Sequence, residues 1–155
     1  MYTGIVQAVR PLLDVTTYPG HNQFTIDLTP ELLDELKIGA SVSVEGTCLS
    51  VTEINGTQVR FDAMTATLER TNLRNFKAGQ GVNIERSAKM NAEVGGHLMA
   101  GHIATTAEIV ELSIKETGAY IQVPHATGMG QVRIPARFYR GQRLQPDRSR
   151  CRGPM

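Results

Sequence analysis

The 155-residue sequence has no tryptophan, only four histidines, and only two cysteines, Cys48 and Cys151. Two cysteines do not make a disulfide framework, which predicts a reduced, cytosolic protein. No apolar run is long enough to span a bilayer, so no membrane role is expected. No charged leader followed by an apolar stretch opens the chain, so no signal peptide is expected. His97 and His102 invite a metal reading, but two histidines without a third ligand nearby are a weak metal signal, and no metal site is expected. What remains, with 41% apolar residues, is enough to bury a core in one or two domains.

The net charge of +1 hides a sharp break. Residues 1–129 hold nine Lys and Arg against 14 Asp and Glu, whereas residues 130–155 hold seven Arg and a single acid, Asp147. Such a tail ordinarily points to nucleic acid or an acidic surface. Here the Arg excess has a different origin, and no nucleic-acid partner is expected.

After Gly95-Gly96-His97-Leu98-Met99-Ala100 the chain begins to repeat itself. Gly101-His102-Ile103 takes the place of Gly4-Ile5-Val6 at an offset of 97, and Ile121-Gln122-Val123 takes that of Phe24-Thr25-Ile26. Solenoid repeats run to roughly 20–50 residues, so this offset reads as two copies of one domain. The boundaries expected are 1–97 for the first copy, 98–129 for the start of a second, and 130–155 for an aberrant Arg-rich tail.

The first copy is read as mostly strand. Gly4–Val9 and Gln23–Leu28 carry β formers and are separated by the turn signal Tyr18-Pro19-Gly20. Thr29-Pro30 opens a short helix predicted through Lys37, with Gly39 past its end. Val42 and Val44 alternate with polar residues, Cys48–Ile54 follows the Gly46-Thr47 turn, and Asn55-Gly56 is a hairpin signal leading to Thr57–Met64. A second short helix is predicted over Thr67–Leu73, and a last strand over Val82–Arg86. Short strands with a capping helix suggest an all-β fold, a small Greek-key barrel.

Five motifs in order add to this reading. They are Met1-Tyr2-Thr3-Gly4-Ile5-Val6, the stretch Val44 to Thr52, Thr67-Leu68-Glu69-Arg70-Thr71-Asn72-Leu73, Gly81-Val82-Asn83-Ile84-Glu85-Arg86, and Gly95-Gly96-His97 with Gly101-His102. In these the chain resembles riboflavin synthase of the two-barrel, lumazine-binding type over residues 1 to about 129. The resemblance implies a six-stranded Greek-key barrel, complete in the first copy and only begun in the second. It further implies a transferase without metal or organic cofactor that dismutates two 6,7-dimethyl-8-ribityllumazine molecules to riboflavin and 5-amino-6-ribitylaminouracil. In that family the reacting pair sits between barrels of neighbouring subunits in a homotrimer.

Carried over residue by residue, the resemblance assigns substrate contacts to Gly4, Ile5, Val6, Cys48, Leu49, Ser50, and the run Asp62, Ala63, Met64, Thr65, Ala66, Thr67. Gly101, His102 and Ile103 correspond to the opening ligand segment of the second barrel. The catalytic candidates are His102, as acid or base near neutral pH, and Cys48, as a polar wall near the reacting carbons. On composition alone Cys48 is a small core hydrophobe, His102 an ordinary strand histidine and Asp62 a strand terminator. His97 reads as structural, and His21 and His125 carry no functional assignment. Two positions depart from the family: Tyr2, where Phe is usual, and Ala66, where Glu is usual. A glutamate there suits ribityl hydroxyls, so its loss removes charge-assisted hydrogen bonds of roughly 1.5–3 kcal/mol. That leaves a non-catalytic lumazine or flavin carrier as the alternative to an enzyme.

The tail resembles nothing in the family as it stands. Read from the second base of each degenerate codon, residues 130–148 permit K-Y-V-F-P-Q-G-F-I-G-V-N-G-C-S-L-T-V. Its last eight letters fall 97 positions after Val44 to Val51, the offset already found. The reading is a frameshift near Gly130 that truncates the second barrel and makes the Arg excess and Cys151 by-products. Unpaired sheet edges and a missing trimerising helix would follow, leaving this chain weak or inactive as an enzyme.

Overall fold

The computed structural model describes residues 1–91, 93, 95–115, 118–124 and 131–136. His125, Cys151 and most of the Arg-rich tail lie outside them. Two compact units divide the chain, Met1–Thr106 and Ala107–Met155.

The first unit contains six strands, β1 (Ala8–Tyr18), β2 (His21–Asp27), β3 (Ser41–Val44), β4 (Thr47–Asn55), β5 (Gln58–Met64) and β6 (Gly81–Arg86). They close into an antiparallel barrel in the order β1-β2-β5-β4-β3-β6. Alternation along β4 and β5 turns Leu49, Val51, Val59, Phe61 and Ala63 inward. Leu12, Phe24, Ile26, Val42, Val44, Val82 and Ile84 complete the core from the other strands. Phe24 also meets Phe76 edge-on at a centroid distance of 5.7 Å.

β1 differs from its sequence expectation, beginning at Ala8 rather than Gly4 and continuing to Tyr18. Pro11 and Asp14 conceal it. Ala8 to Pro11 pair with β6, and Leu12 onward pairs with β2, with a register shift between Leu12 and Asp14. Pro11 sits at this change of partner, where a missing N–H is tolerated. Across the same strands the Arg10 guanidinium bonds the carboxylate and carbonyl of Asp27.

Thr29 holds the N-cap position without a side-chain capping bond and Pro30 opens the first helix, but α1 spans only Pro30–Leu33. Glu35 takes a positive φ of 53°, which ends the helix, yet Leu32 and Leu36 still join the barrel core. The second helix, α2, covers Thr65–Arg70 and passes into a 3-10 turn, Asn72–Asn75. Thr71 makes that break by accepting a hydrogen bond from Leu73 N–H.

The second unit contains a three-stranded antiparallel meander of β7 (Glu111–Lys115), β8 (Gly118–Pro124) and β9 (Gln131–Ala136). β8 falls 97 residues after β2, and its hairpin pair Lys115↔Gly118 matches Tyr18↔His21. β9 breaks the correspondence, because 97 residues earlier the first copy runs from Asp34 to Gly39, outside its strands. Within the Arg-rich tail, Gln131 to Ala136 pair with β8.

Candidate ligand-binding site

The site is assembled on the outer face of the barrel, starting at the β3–β4 turn. Glu45 and Gly46 both have positive φ, 49° and 79°, the geometry of a type I′ hairpin. Glycine adopts this freely and glutamate does not. The Glu45 carboxylate holds the turn by accepting Asn83 N–H at 2.6 Å and Asn83 Nδ2 at 3.2 Å. Burial pushes the Glu45 carboxyl above its ordinary range, and the bonds from Asn83 oppose that rise.

With the turn fixed, β4 presents Cys48 and Ser50 outward. Val51 N–H donates to Ala40 C=O, and Val51 C=O accepts Gly39 N–H, both on the β3 side. Strand alternation therefore turns the peptide groups of Cys48 and Ser50 to the opposite edge. There Cys48 N–H donates to Gly101 C=O at 2.8 Å. The β4–β5 ladder runs from Asn55↔Gln58 only as far as Val51↔Phe61. Beyond that pair Thr47–Ser50 are laddered to β3 and Asp62–Met64 to β2. The two strands part, and exposed Ser50 and half-buried Asp62 flank the opening.

The Asp62–Thr67 segment is held from behind. Gln23 Nε2 donates to Asp62 Oδ1 at 3.0 Å. The Gly20 carbonyl accepts both Thr65 N–H and Thr65 Oγ1 at 2.9 Å, which pins the β1–β2 turn to the start of α2. Ala63 is buried, Met64, Thr65 and Ala66 are exposed, and Thr67 is half-buried.

The N-terminal segment forms the other flank. Tyr2 is 1% exposed and its hydroxyl donates to Cys48 Sγ at 3.2 Å. Burial pushes the Tyr2 hydroxyl well above its ordinary pKa, and the adjacent Cys48 thiol adds to the rise. Tyr2 and Met99 exchange backbone bonds of 2.8 and 2.9 Å. That bridge brings the segment leading to Gly101, His102 and Ile103 onto this barrel, with His102 exposed directly after Gly101. Gly101 is required here: at φ 73° a Cβ would lie 2.9 Å from the Tyr2 ring and 3.0 Å from Cys48 Cβ. His97, read as structural, donates its backbone N–H to Thr3 C=O at 3.0 Å.

The structure thus joins Gly4, Val6 and Gly101, which with Tyr2, Ser43 and Met99 line a small cavity of about 120 Å³. Ile5 faces a different and larger groove of about 790 Å³, which also borders Leu32 and Arg86. Asp62–Thr67 line neither cavity; Asp62 flanks the opening between β4 and β5, and Ala63 to Thr67 follow it along β5 into α2. Leu49 points into the core at 4% exposure, so only its backbone is available on the outer face. Sequence reasoning missed Glu85, Gln23 and Met99. A glutamate buried beside core-facing Ile84 was the one local signal, since a buried acid needs partners. Among the described residues no group of three or more His, Cys, Asp or Glu is placed to hold a metal.

Comparison with known proteins shows what the chain is similar to. The chain is 47% identical to riboflavin synthase of Escherichia coli (strain K12) over 121 residues, 78% of this chain and 57% of that protein. It is 32% identical to riboflavin synthase of Bacillus subtilis (strain 168) over 120 residues, 77% of this chain and 55% of that protein. The chain therefore spans little more than half the length of these relatives. A crystal structure of LumP complexed with 6,7-dimethyl-8-(1'-D-ribityl) lumazine has the same fold, with a TM-score of 0.72 and 21% identity. That match covers 85% of this chain and 72% of LumP. The family model described as the lumazine binding domain matches residues 3–87, which contain the whole closed barrel. By that match the chain belongs to the lumazine binding domain family.

Proposed function

We propose that the first barrel binds 6,7-dimethyl-8-ribityllumazine, and riboflavin as product, at the opening between β4 and β5. The observation that carries this reading is the parting of the two strands at Val51↔Phe61. It turns the peptide group of Ser50 toward a gap bordered by Asp62, where the edge of a flat heterocycle finds donors and acceptors. Ala66 and Thr67, at the start of α2, lie where a ribityl chain would run.

The whole protein to which this sequence corresponds is a riboflavin synthase-type transferase, cytoplasmic and homotrimeric like the enzyme its motifs resemble. It passes a four-carbon unit from one lumazine to another and yields riboflavin and 5-amino-6-ribitylaminouracil. His102 moves the proton between the acidic methyl of one lumazine and solvent, and Cys48 forms the polar wall beside the reacting carbons. Gly4, Val6, Ala63, Met64, Thr65 and Ile103 complete the contact segments, with Leu49 offering its backbone alone and Ile5, turned to the larger groove, only adjoining them. The repeat assigns 1–97 to the first barrel and 98–129 to the start of the second, with 130–155 the product of a frameshift. The break in correspondence at β9 supports that last assignment.

A second reading, a non-catalytic lumazine or flavin carrier, is favoured by Ala66, which offers no carboxylate to the ribityl hydroxyls. Incubating the chain with lumazine alone separates the two. Saturable binding with little riboflavin formation is expected here, and turnover is expected once a single-base change restores the frame. Binding without turnover in the restored chain would favour the carrier, and absence of binding in both would overturn the ligand assignment.

A further inference from the structure

Glu85 is 6% exposed on β6, and among the described residues it forms no ion pair. Its carboxylate is instead saturated by the N-terminal segment. Oε1 accepts Thr3 N–H at 2.5 Å and Thr3 Oγ1 at 2.8 Å, and Oε2 accepts Gly4 N–H at 3.1 Å. Buried carboxylates persist only where such donors satisfy them, and hydrogen bonds to an ionised acceptor are among the stronger ones.

The segment gripped in this way carries Tyr2 on one side of Thr3 and Gly4-Ile5-Val6 on the other. Tyr2 in turn caps Cys48 Sγ and bridges to Met99, two residues before the Gly101 carbonyl that bonds Cys48 N–H. Without the carboxylate, Met1–Ile5 keeps a few backbone bonds, including Ala88 N–H to Met1 C=O and His97 N–H to Thr3 C=O. Both partners of those bonds are loop residues.

We propose that Glu85 is a positioning residue for the ligand site. Its carboxylate fixes Thr3 and Gly4, and through them holds Tyr2 on Cys48 and the Met99–Ile103 segment against β4. This inference rests on the reading of that face as the lumazine site. Glu85 touches no ligand itself.

Glu85→Gln tests it with little change of shape. Glutamine offers one acceptor oxygen and sets an NH₂ against a backbone N–H, so the clamp opens while the barrel core keeps its packing. In a Cys151→Ser background, native-state alkylation of Cys48 should accelerate about tenfold or more as the Tyr2 cap loosens. The dissociation constant for 6,7-dimethyl-8-ribityllumazine should rise by about tenfold, the scale of one lost hydrogen bond to a charged group. Thr3→Val removes one donor from outside the barrel and should move both quantities in the same direction by less; it decides the matter if Glu85→Gln fails to fold. A lowered melting temperature with Cys48 alkylation and affinity unchanged would overturn the proposal. If the parent chain binds no lumazine, the function reading fails separately, and Cys48 reactivity still judges the clamp.

Discussion

The hydroxyl of Tyr2 donates to the thiol of Cys48 across 46 residues of sequence, at 3.2 Å, from a side chain almost wholly withdrawn from solvent. Cys48 is therefore not a bare nucleophile on an open wall. Its sulfur is capped from above by the N-terminal segment, and its amide is bonded by Gly101. Any ligand on this face meets a surface built from three distant stretches of chain.

Removing that hydroxyl should be felt modestly. Tyr2→Phe should destabilise the fold by about 0.5–1.5 kcal/mol, the net worth of one hydrogen bond. Urea denaturation at neutral pH measures it. The same variant should alkylate faster at Cys48.

Tyr2 also predicts a pH effect. Its folded pKa is raised above the unfolded value of 10.0, so the unfolded chain releases the phenolic proton first. The stability tied to the protonated hydroxyl is full below that value and is lost as pH rises above it toward the folded pKa. Stability measured between neutral pH and pH 11 should fall less steeply in Tyr2→Phe than in the parent.

Gly101→Ala places a Cβ against Tyr2 and Cys48 at a φ that alanine resists. The barrel should remain folded, because Gly101 lies outside its strands. Amide exchange at Cys48 should speed up and lumazine affinity should fall. An unchanged exchange rate would mean that the Gly101 carbonyl does not hold this edge.

Much of the barrel was legible in the sequence because its strands alternate and its turns carry Gly or Pro where the geometry needs them. The long first strand was not, since Pro11 and Asp14 break the pattern at the place where β1 changes partners. The first helix was overextended because its leucines keep helical spacing through Leu36, and a positive φ at Glu35 leaves no local trace. For the candidate site, the repeat and the motifs point to segments but carry no trace of how these join. Glu85 and Thr3 stand 82 residues apart, and no periodicity relates them. The repeat puts Gly101 at the opening of a second barrel, and its contact with Cys48 on the first barrel depends on the Tyr2–Met99 bridge.

Ala66 gives a gain-of-function test. Ala66→Glu puts a carboxylate on an exposed position in the first turn of α2, where negative charge also suits the helix terminus. Lumazine or riboflavin binding, followed by fluorescence quenching, should tighten about tenfold, the lower end of what charge-assisted hydrogen bonds contribute. An unchanged or weaker dissociation constant would remove the role assigned to this position.

The location of the ligand on the opening between β4 and β5 is tested most directly by amide shift mapping of the isotope-labelled chain titrated with 6,7-dimethyl-8-ribityllumazine. Saturable shifts are expected at Cys48, Ser50, Asp62 and Met64–Thr67, with the amides of the β1–β6 ladder little changed. Shifts confined to the groove lined by Leu32, Arg86 and Lys89, or no saturable shifts at all, would contradict it.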